Sequence, residues 1–204
     1  MKKLVIKTVF ITVMAILTIS IAVLSAICVF KPKVIAKMFD NLGNYEASQY
    51  FYQMQYEKTG DIDEIFMLID NAYEKNDFNN LKGYVGELIS HKNFKFYCQS
   101  KNSTLDANAM KTEEYYSSWY AELLFIMEDF GVAVEFSKSY VVNQNGSVNV
   151  GYTKYNPFRI LVDKKAQLSS EQKQVLKTEI EDFKTKIIDS VQLGYIEQDL
   201  NQLN

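Results

Sequence analysis

The longest apolar stretch of the chain lies near its N-terminus. Thr8 to Phe30 are 23 consecutive residues without a charge. As an α-helix that rises 1.5 Å per residue, this stretch is about 34 Å long, which is enough to cross a hydrocarbon core of about 30 Å. The pattern predicts a membrane anchor over residues 1–33, with residues 8–30 inside the bilayer.

A cleaved signal sequence and a lipoprotein signal are the alternatives for this stretch. The apolar run is longer than the core of a signal peptide, and Leu24 stands where a cleavage site prefers a small residue. The string from Leu24 to Cys28 is similar to a lipoprotein box, but Ile27 stands next to the cysteine, where such boxes have Gly, Ala or Ser. We therefore expect an uncleaved anchor that crosses the cell membrane once.

The orientation of this anchor follows from weaker signals. Three lysines flank each end, so the positive-inside rule nearly cancels. The short N-terminal tail with its free amine favours the tail inside and the rest of the chain on the extracytoplasmic side.

Apolar positions after the anchor recur at intervals that predict a repeat. A shift of 34 residues superposes two groups of apolar residues, and a further shift of 52, which is 34 plus an insertion of 18, superposes them again. Within each group the spacing is that of one buried face of a helix. The first group aligns Val34, Ile35 and Met38 with Leu68, Ile69 and Ala72 and with Tyr120, Ala121 and Leu124; the second aligns Ala47, Phe51 and Met54 with Leu81, Val85 and Leu88 and with Ala133, Ser137 and Tyr140.

A short polar turn separates the two apolar groups of each unit. These turns are Asn41 to Tyr45, Lys75 to Phe78 and Glu128 to Gly131. Their Asn, Asp and Gly residues suit the end of one helix and the N-cap of the next. Each unit therefore reads as a helical hairpin, and Lys58 to Asp61 leads from the first hairpin into the second.

The period and the hairpin layout resemble the tetratricopeptide repeat family. The resemblance covers about 100 residues and is carried by GNYEASQYFYQMQYEKTGD, AYEKNDFNNLKGYVGELI and DFGVAVEFSKSYV. Ile35, Ile69 and Leu81 depart from it, because the family has small residues there, and no proline closes a unit. The predicted fold is all-α: an N-terminal transmembrane helix, a tetratricopeptide-like stack of helical hairpins over residues 34–142, and a C-terminal capping helix. An irregular helical bundle with coincidental spacing is the alternative.

Residues outside the repeat predict further helices and loops. The insertion near 92–110 has loop residues and either interrupts the stack or adds an irregular helix. Over 143–204, Asn143 to Asn149 reads as a loop, and Asn156 with Pro157 opens a short helix to about residue 166. Ser169 and Gln172 form a capping box for one long last helix. Its apolar face would comprise Leu176, Ile180, Phe183, Ile187 and Val191.

Charge is distributed unevenly along the chain. Residues 1–37 hold six of the 22 basic residues and no acidic residue, so the remainder is acidic. Arg159 is the single arginine. Since nucleic-acid binding depends on Lys and Arg contacts to phosphates, this composition argues against a nucleic-acid partner. The abundance of Lys, Asn, Ile and Tyr suggests an AT-rich bacterial genome.

Candidate catalytic and metal-binding residues are sparse. His91 is the only histidine, and with Glu87 it does not make a metal site. Cys98 lies seven residues from His91 in a stretch that specifies no catalytic geometry. Motifs of serine hydrolases, phosphate-binding loops and zinc proteases are absent from the sequence. We expect no catalytic residue, no metal and no cofactor.

The family resemblance implies a groove lined by the first helix of each hairpin. This groove would be aromatic and acidic, which suits a basic or extended peptide. We expect a membrane-anchored scaffold that binds another protein or peptide; the alternative is an accessory subunit of an envelope enzyme or transporter with contacts through the anchor. The implied groove residues are Phe39 and Asp40, then Phe66, Asp70 and Tyr73, then Ser118, Glu122 and Phe125.

Overall fold

The computed structural model describes residues 2–102, 113–127 and 130–204. Within these ranges the chain is all-helical, as predicted, and its one β-bridge joins Val142 to Val148. The helices are α1 (Lys2–Phe30), α2 (Pro32–Asn41), α3 (Tyr45–Thr59), α4 (Ile62–Glu74), α5 (Phe78–Ser90), α6 (Phe94–Asn102), α7 (Glu113–Ile126), α8 (Phe130–Val141), α9 (Pro157–Asp163), α10 (Ser170–Lys184) and α11 (Ser190–Gln202), with a 3₁₀ turn at Lys165–Gln167.

Helix α1 is long and apolar enough to cross a membrane. Within Ile6–Phe30 an 18-residue stretch has a mean hydropathy of 2.7, and none of that stretch is buried in the protein. The hydroxyls of Thr12 and Thr18 donate to the carbonyls of Thr8 and Met14 in their own helix. The ammonium of Lys58 donates to the carbonyl of Val29 and so satisfies one acceptor of the last turn.

The chain divides into two compact units, residues 1–81 and residues 82–204. In the first unit α2 packs on α3 and α3 packs on α4. The predicted turn between α2 and α3 is confirmed, because Asn44 caps α3 and accepts a hydrogen bond from the amide of Ala47 at 3.2 Å. The chain leaves α3 through Gly60, whose φ of 59° is the left-handed conformation that ends many helices.

The buried faces of the first hairpin differ from the predicted ones. Of the predicted residues of α2, Ile35 is buried, whereas Val34 and Met38 are exposed and Ala36 is buried in their place. On α3 the residues Ala47, Phe51 and Met54 are half-buried, while Ser48, Gln49 and Tyr52 are buried. Hydrogen bonds explain this difference. Ser48 and Tyr52 both donate to the carboxylate of Asp40, and these bonds turn this side of α3 toward α2. The prediction for Leu68, Ile69 and Ala72 is confirmed, since all three are buried.

The second unit has its core between α7, α8, α9 and the C-terminal helices. Helix α7 packs on both α8 and α9, and α10 contacts α8, α9 and α11. Of the predicted apolar face, Ala121, Leu124, Ala133 and Ser137 are buried. Helix α8 begins at Phe130, and part of the predicted turn at Glu128 to Gly131 lies outside the described residues. The core comprises Leu124, Ala133, Val134, Val141, Val150, Tyr152, Phe158, Leu161, Val162, Leu168, Leu176, Ile180, Phe183, Ile196 and Leu203.

The single long last helix was a wrong prediction. The capping box at Ser169 and Gln172 is present and opens α10, but α10 ends at Lys184. Asp189 then caps a separate helix, α11, by accepting from the amide of Gln192 at 2.9 Å. The apolar face of α10 is therefore Leu176, Ile180 and Phe183, whereas Ile187 lies in the turn and Val191 is exposed.

The remaining predictions for the insertion and the C-terminal part differ from the structure mainly in one helix boundary. The helix that begins after Asn156 ends at Asp163 and continues only as the 3₁₀ turn. The first part of the insertion near 92–110 forms α6, which is the predicted additional helix, and residues 103–110 lie outside the described ranges. The loop at 143–149 is confirmed, with Gly146 at a φ of 82°.

Adjacent residues of α10 test the packing of the second core. Leu176 is fully buried, so Leu176→Ala should lower the free energy of unfolding of the full chain in detergent by about 2–5 kcal/mol. Its neighbour Val175 is exposed, and Val175→Ala should change that free energy by less than about 0.5 kcal/mol. Urea titration followed by circular dichroism measures both variants. Equal destabilisation of the two would contradict the assigned face of α10.

Candidate functional site

The most accessible of the predicted groove residues lie on α4. The helix is capped by Asp61, whose carboxylate accepts from the amide of Asp63 at 3.1 Å. One face of α4 buries five apolar residues, so side chains away from that face are more accessible. The buried face comprises Ile62, Ile65, Leu68, Ile69 and Ala72.

The outward face of α4 is defined here by Phe66, Asp70 and Tyr73, spaced i, i+4 and i+7. Tyr73 is 61% exposed, Asp70 is exposed and Phe66 is half-buried. The face thus joins a large aromatic surface to a carboxylate, a combination that suits contact with a cationic side chain. We call these three residues the α4 face.

The first-hairpin residues of the predicted groove are engaged inside the hairpin. Asp40 accepts from the hydroxyl of Ser48 at 2.5 Å and from that of Tyr52 at 2.9 Å. Asn71 of α4 donates to Ser48 at 3.0 Å, so the network links all three helices. Phe39 stacks on Phe51, with the ring centroids 5.8 Å apart. Phe39 thus packs between α2 and α3, and Asp40 is linked to α4 through Ser48.

The third-hairpin residues also have partners within the protein. Ser118 is buried, and its hydroxyl donates to the carbonyl of Tyr115 at 2.9 Å. Glu122 forms an ion pair of 2.5 Å with Lys164, which follows α9. Phe125 contacts Phe130 edge to face. Because α9 packs on α7, these three residues belong to the packing of the second unit.

An ion pair between a half-exposed lysine and a buried glutamate joins the start of α2 to the start of α4. Lys33 lies 2.5 Å from Glu64, whose side chain is almost completely buried. The hydrogen bond to Glu64 is the main cause of the raised pKa of Lys33. Glu64 lies in the first turn of α4, where acidic residues are favoured by the helix N-terminus. Its position four residues before Leu68, on the apolar side of α4, was the signal that it would be buried.

A second buried polar cluster, also not foreseen, lies in the C-terminal part of the chain. Asp199 of α11 accepts from the hydroxyl of Tyr152 at 2.9 Å and lies 3.4 Å from the Nε atom of Arg159. Burial raises the pKa of Asp199, although Tyr152 and Arg159 act in the opposite direction. The guanidinium of Arg159 also lies 4.7 Å from the centre of the Tyr195 ring. The cluster fixes α11 against α9 and the loop before it.

The candidates for chemistry occupy unreactive surroundings. Cys98 is buried, and burial raises the pKa of its thiol to about 12, so the thiol stays protonated at neutral pH. It lines a cavity of about 270 Å³ together with Glu113 and Glu114. His91 follows the last residue of α5 and accepts from the amide of Asn93 at 3.2 Å. Among the described residues no three His, Cys, Asp or Glu side chains come together as a metal site.

Comparisons of the chain with protein families, with curated proteins and with solved structures find no match. The likeness to tetratricopeptide repeats therefore rests on the sequence pattern alone. The function of this chain has to be inferred from its own surfaces.

The pH dependence of stability tests the C-terminal cluster. The pKa of Asp199 is raised above its ordinary value of 3.8, so its contribution to stability is fully present below about pH 4. That contribution is lost as the pH rises through the pKa of the folded protein. We expect the free energy of unfolding of the wild type, minus that of Asp199→Asn, to fall between pH 4 and neutral pH. The slope should not exceed about 1.4 kcal/mol per pH unit, which corresponds to one proton.

Tyr152→Phe provides the second arm of this test. Loss of the hydroxyl removes a donor that lowers the pKa of Asp199. The pH-dependent fall in the stability contribution of Asp199 should therefore extend to higher pH. Tyr155→Phe is the matched control, because the described contacts of Tyr155 with Tyr115 and Lys154 are made by its ring. If the free energy of unfolding of the wild type, minus that of Asp199→Asn, rose with pH, the raised pKa assigned to Asp199 would be contradicted.

Proposed function

We propose that this protein is a membrane-anchored, non-catalytic interaction module that binds a basic, extended protein segment on the α4 face. The observation that carries the proposal is the joint exposure of Tyr73 and Asp70, one turn apart on α4, in the same unit that begins with the apolar helix α1. Anchoring would confine the binding surface to the membrane plane.

The anchor follows from the environment that α1 requires. Almost all of its side chains are exposed in the protein, and they form an apolar surface much larger than soluble proteins tolerate. A bilayer removes this surface from water, and the helix satisfies its own backbone groups. In the proposed topology α1 crosses the cell membrane once and the helical units lie on the extracytoplasmic side.

The α4 face supplies the elements of a peptide-binding surface. An exposed tyrosine offers contact area at a low conformational cost, and such residues often dominate binding energies. Asp70 adds a charge that attracts Lys or Arg and disfavours an acidic segment. A tetratricopeptide-like stack would present these residues along its inner groove, which is how the proposed scaffold would hold an extended chain.

The binding test uses the full chain in nanodiscs of zwitterionic lipid, so that the lipids do not attract a basic probe. The probe is a fluorescent, extended peptide that alternates lysine with aliphatic residues. Its anisotropy should report binding that weakens as salt is added. Tyr73→Ala and Asp70→Lys should each reduce the affinity by roughly tenfold, the effect of losing about 1.4 kcal/mol.

Tyr50→Ala is the matched control for Tyr73→Ala. Tyr50 is 62% exposed, close to the 61% of Tyr73, and lies on the neighbouring helix α3. The control should bind the peptide as the wild type does. Equal losses of peptide affinity for the two tyrosine variants, or no binding by the wild type, would contradict the proposed role of the α4 face.

A separate test addresses the anchor. The substitutions Leu17→Lys and Ile21→Lys, near the middle of α1, should each oppose membrane insertion by about 2.5–3.5 kcal/mol. The double variant should therefore be extracted from membranes by alkaline carbonate, whereas the wild type should remain. Lysines at the exposed positions Val132 and Val175 control for added charge and should leave the chain in the membrane. Extraction of the wild type would overturn the anchor.

A further inference from the structure

Helix α2 and its C-cap residue Leu42 carry an apolar stripe on their outer side. Val34, Met38 and Leu42, spaced i, i+4 and i+8, are 55%, 54% and 69% exposed. The other side of α2 packs on α3 through Ile35, Ala36 and the half-buried Phe39. Since the helix already buries one face, this second apolar face has no cover within α2 and α3 and needs another explanation.

The stripe lies directly beside the end of α1. Helix α1 ends at Phe30 and α2 begins at Pro32. Between them Lys31 has φ −135° and ψ 55°, which are not helical angles, so α2 does not simply continue α1. Val34 is the fourth residue after Phe30, which limits the distance between them to about 14 Å. The start of the stripe therefore stays within reach of the surface of any membrane that α1 spans.

The charges around the stripe match a lipid surface. Lys31 and Lys37 are exposed, and no acidic residue precedes Asp40. Asp40 itself is bound to Ser48 and Tyr52 inside the hairpin. The outer side of α2 thus combines aliphatic and cationic side chains, as do helices that lie at the boundary between headgroups and acyl chains.

We propose that α2 lies in the plane of the membrane surface. In this arrangement Val34, Met38 and Leu42 enter the acyl boundary while Lys31 and Lys37 remain among the lipid phosphates. The inference rests on the proposed function, because it requires α1 to be in the bilayer. Three aliphatic side chains expose far less than the roughly 800 Å² per partner of a typical protein interface, which favours lipid over a second protein as the cover.

Depth-dependent quenching tests this arrangement in the full chain. A polarity-sensitive fluorophore is attached to a single new cysteine, Met38→Cys, in a Cys28→Ser background, and the protein is reconstituted in liposomes with spin-labelled lipids. Cys98 is retained, because its buried thiol with a pKa of about 12 should take up no dye. The Cys28→Ser parent without a new cysteine confirms that.

Two further positions serve as controls. Tyr50→Cys is an exposed site on α3, and Ile16→Cys is inside the proposed span. We expect lipids labelled near the headgroup to quench the fluorophore at position 38 several-fold more than at position 50. We expect lipids labelled deep in the acyl chain to quench position 16 most.

The possible outcomes separate this inference from the proposed anchor. If position 16 is quenched but position 38 is quenched no more than position 50, α2 does not lie on the membrane and only the present inference is overturned. If position 16 is not quenched, the anchor fails and the inference fails with it. A fluorophore at position 38 that reports an apolar environment without quenching would show a protein cover and would also overturn the inference.

Discussion

The burial of one face of α4 determines where the rest of its side chains lie. Ile65, Leu68, Ile69 and Ala72 leave water together, which places Asp70 on the opposite side of the helix and Phe66 and Tyr73 on the flank between. Tyr73 and Asp70 are therefore exposed one turn apart, whereas Phe66 is half-buried. The proposed binding surface is a direct consequence of the packing that stabilises the helix.

Polar contacts decide how α4 is held. The hydrogen bonds among Asp40, Ser48 and Asn71 link α2, α3 and α4, and the ion pair of Lys33 with Glu64 ties the start of α2 to the start of α4. Buried polar groups of this kind contribute little net stability but penalise alternative packings that leave them unpaired. They position the α4 face relative to α2, and α2 adjoins α1.

The helix boundaries were largely predictable and the buried faces were less so. Caps and turns are local, so Asn44, Gly60 and the capping box at Ser169 could be identified from short strings. Asp189, three residues before Gln192, was a similar cap signal that the apolar spacing through Val191 concealed. The spacing of Val34 and Met38 is that of core residues. The side of α2 that is buried, however, depends on the hydrogen bonds of Asp40 with Ser48 and Tyr52. These bonds join two helices, so the sequence of one helix does not predict them. The exposure of Asp70 and Tyr73, by contrast, could be inferred from α4 alone, because the apolar residues of that one helix mark its buried side.

The most direct test of the central claim compares neighbouring residues of α4 in the folded full chain. Two variants, Ala72→Cys and Tyr73→Cys, are each made in a Cys28→Ser background. Both are reacted with a water-soluble maleimide in nanodiscs. We predict that position 73 reacts at once, whereas position 72 reacts only when the protein opens and is slower by a factor of about 100 or more. Equal rates at the two positions, or faster reaction at position 72, would contradict the claim that packing of α4 creates the exposed face.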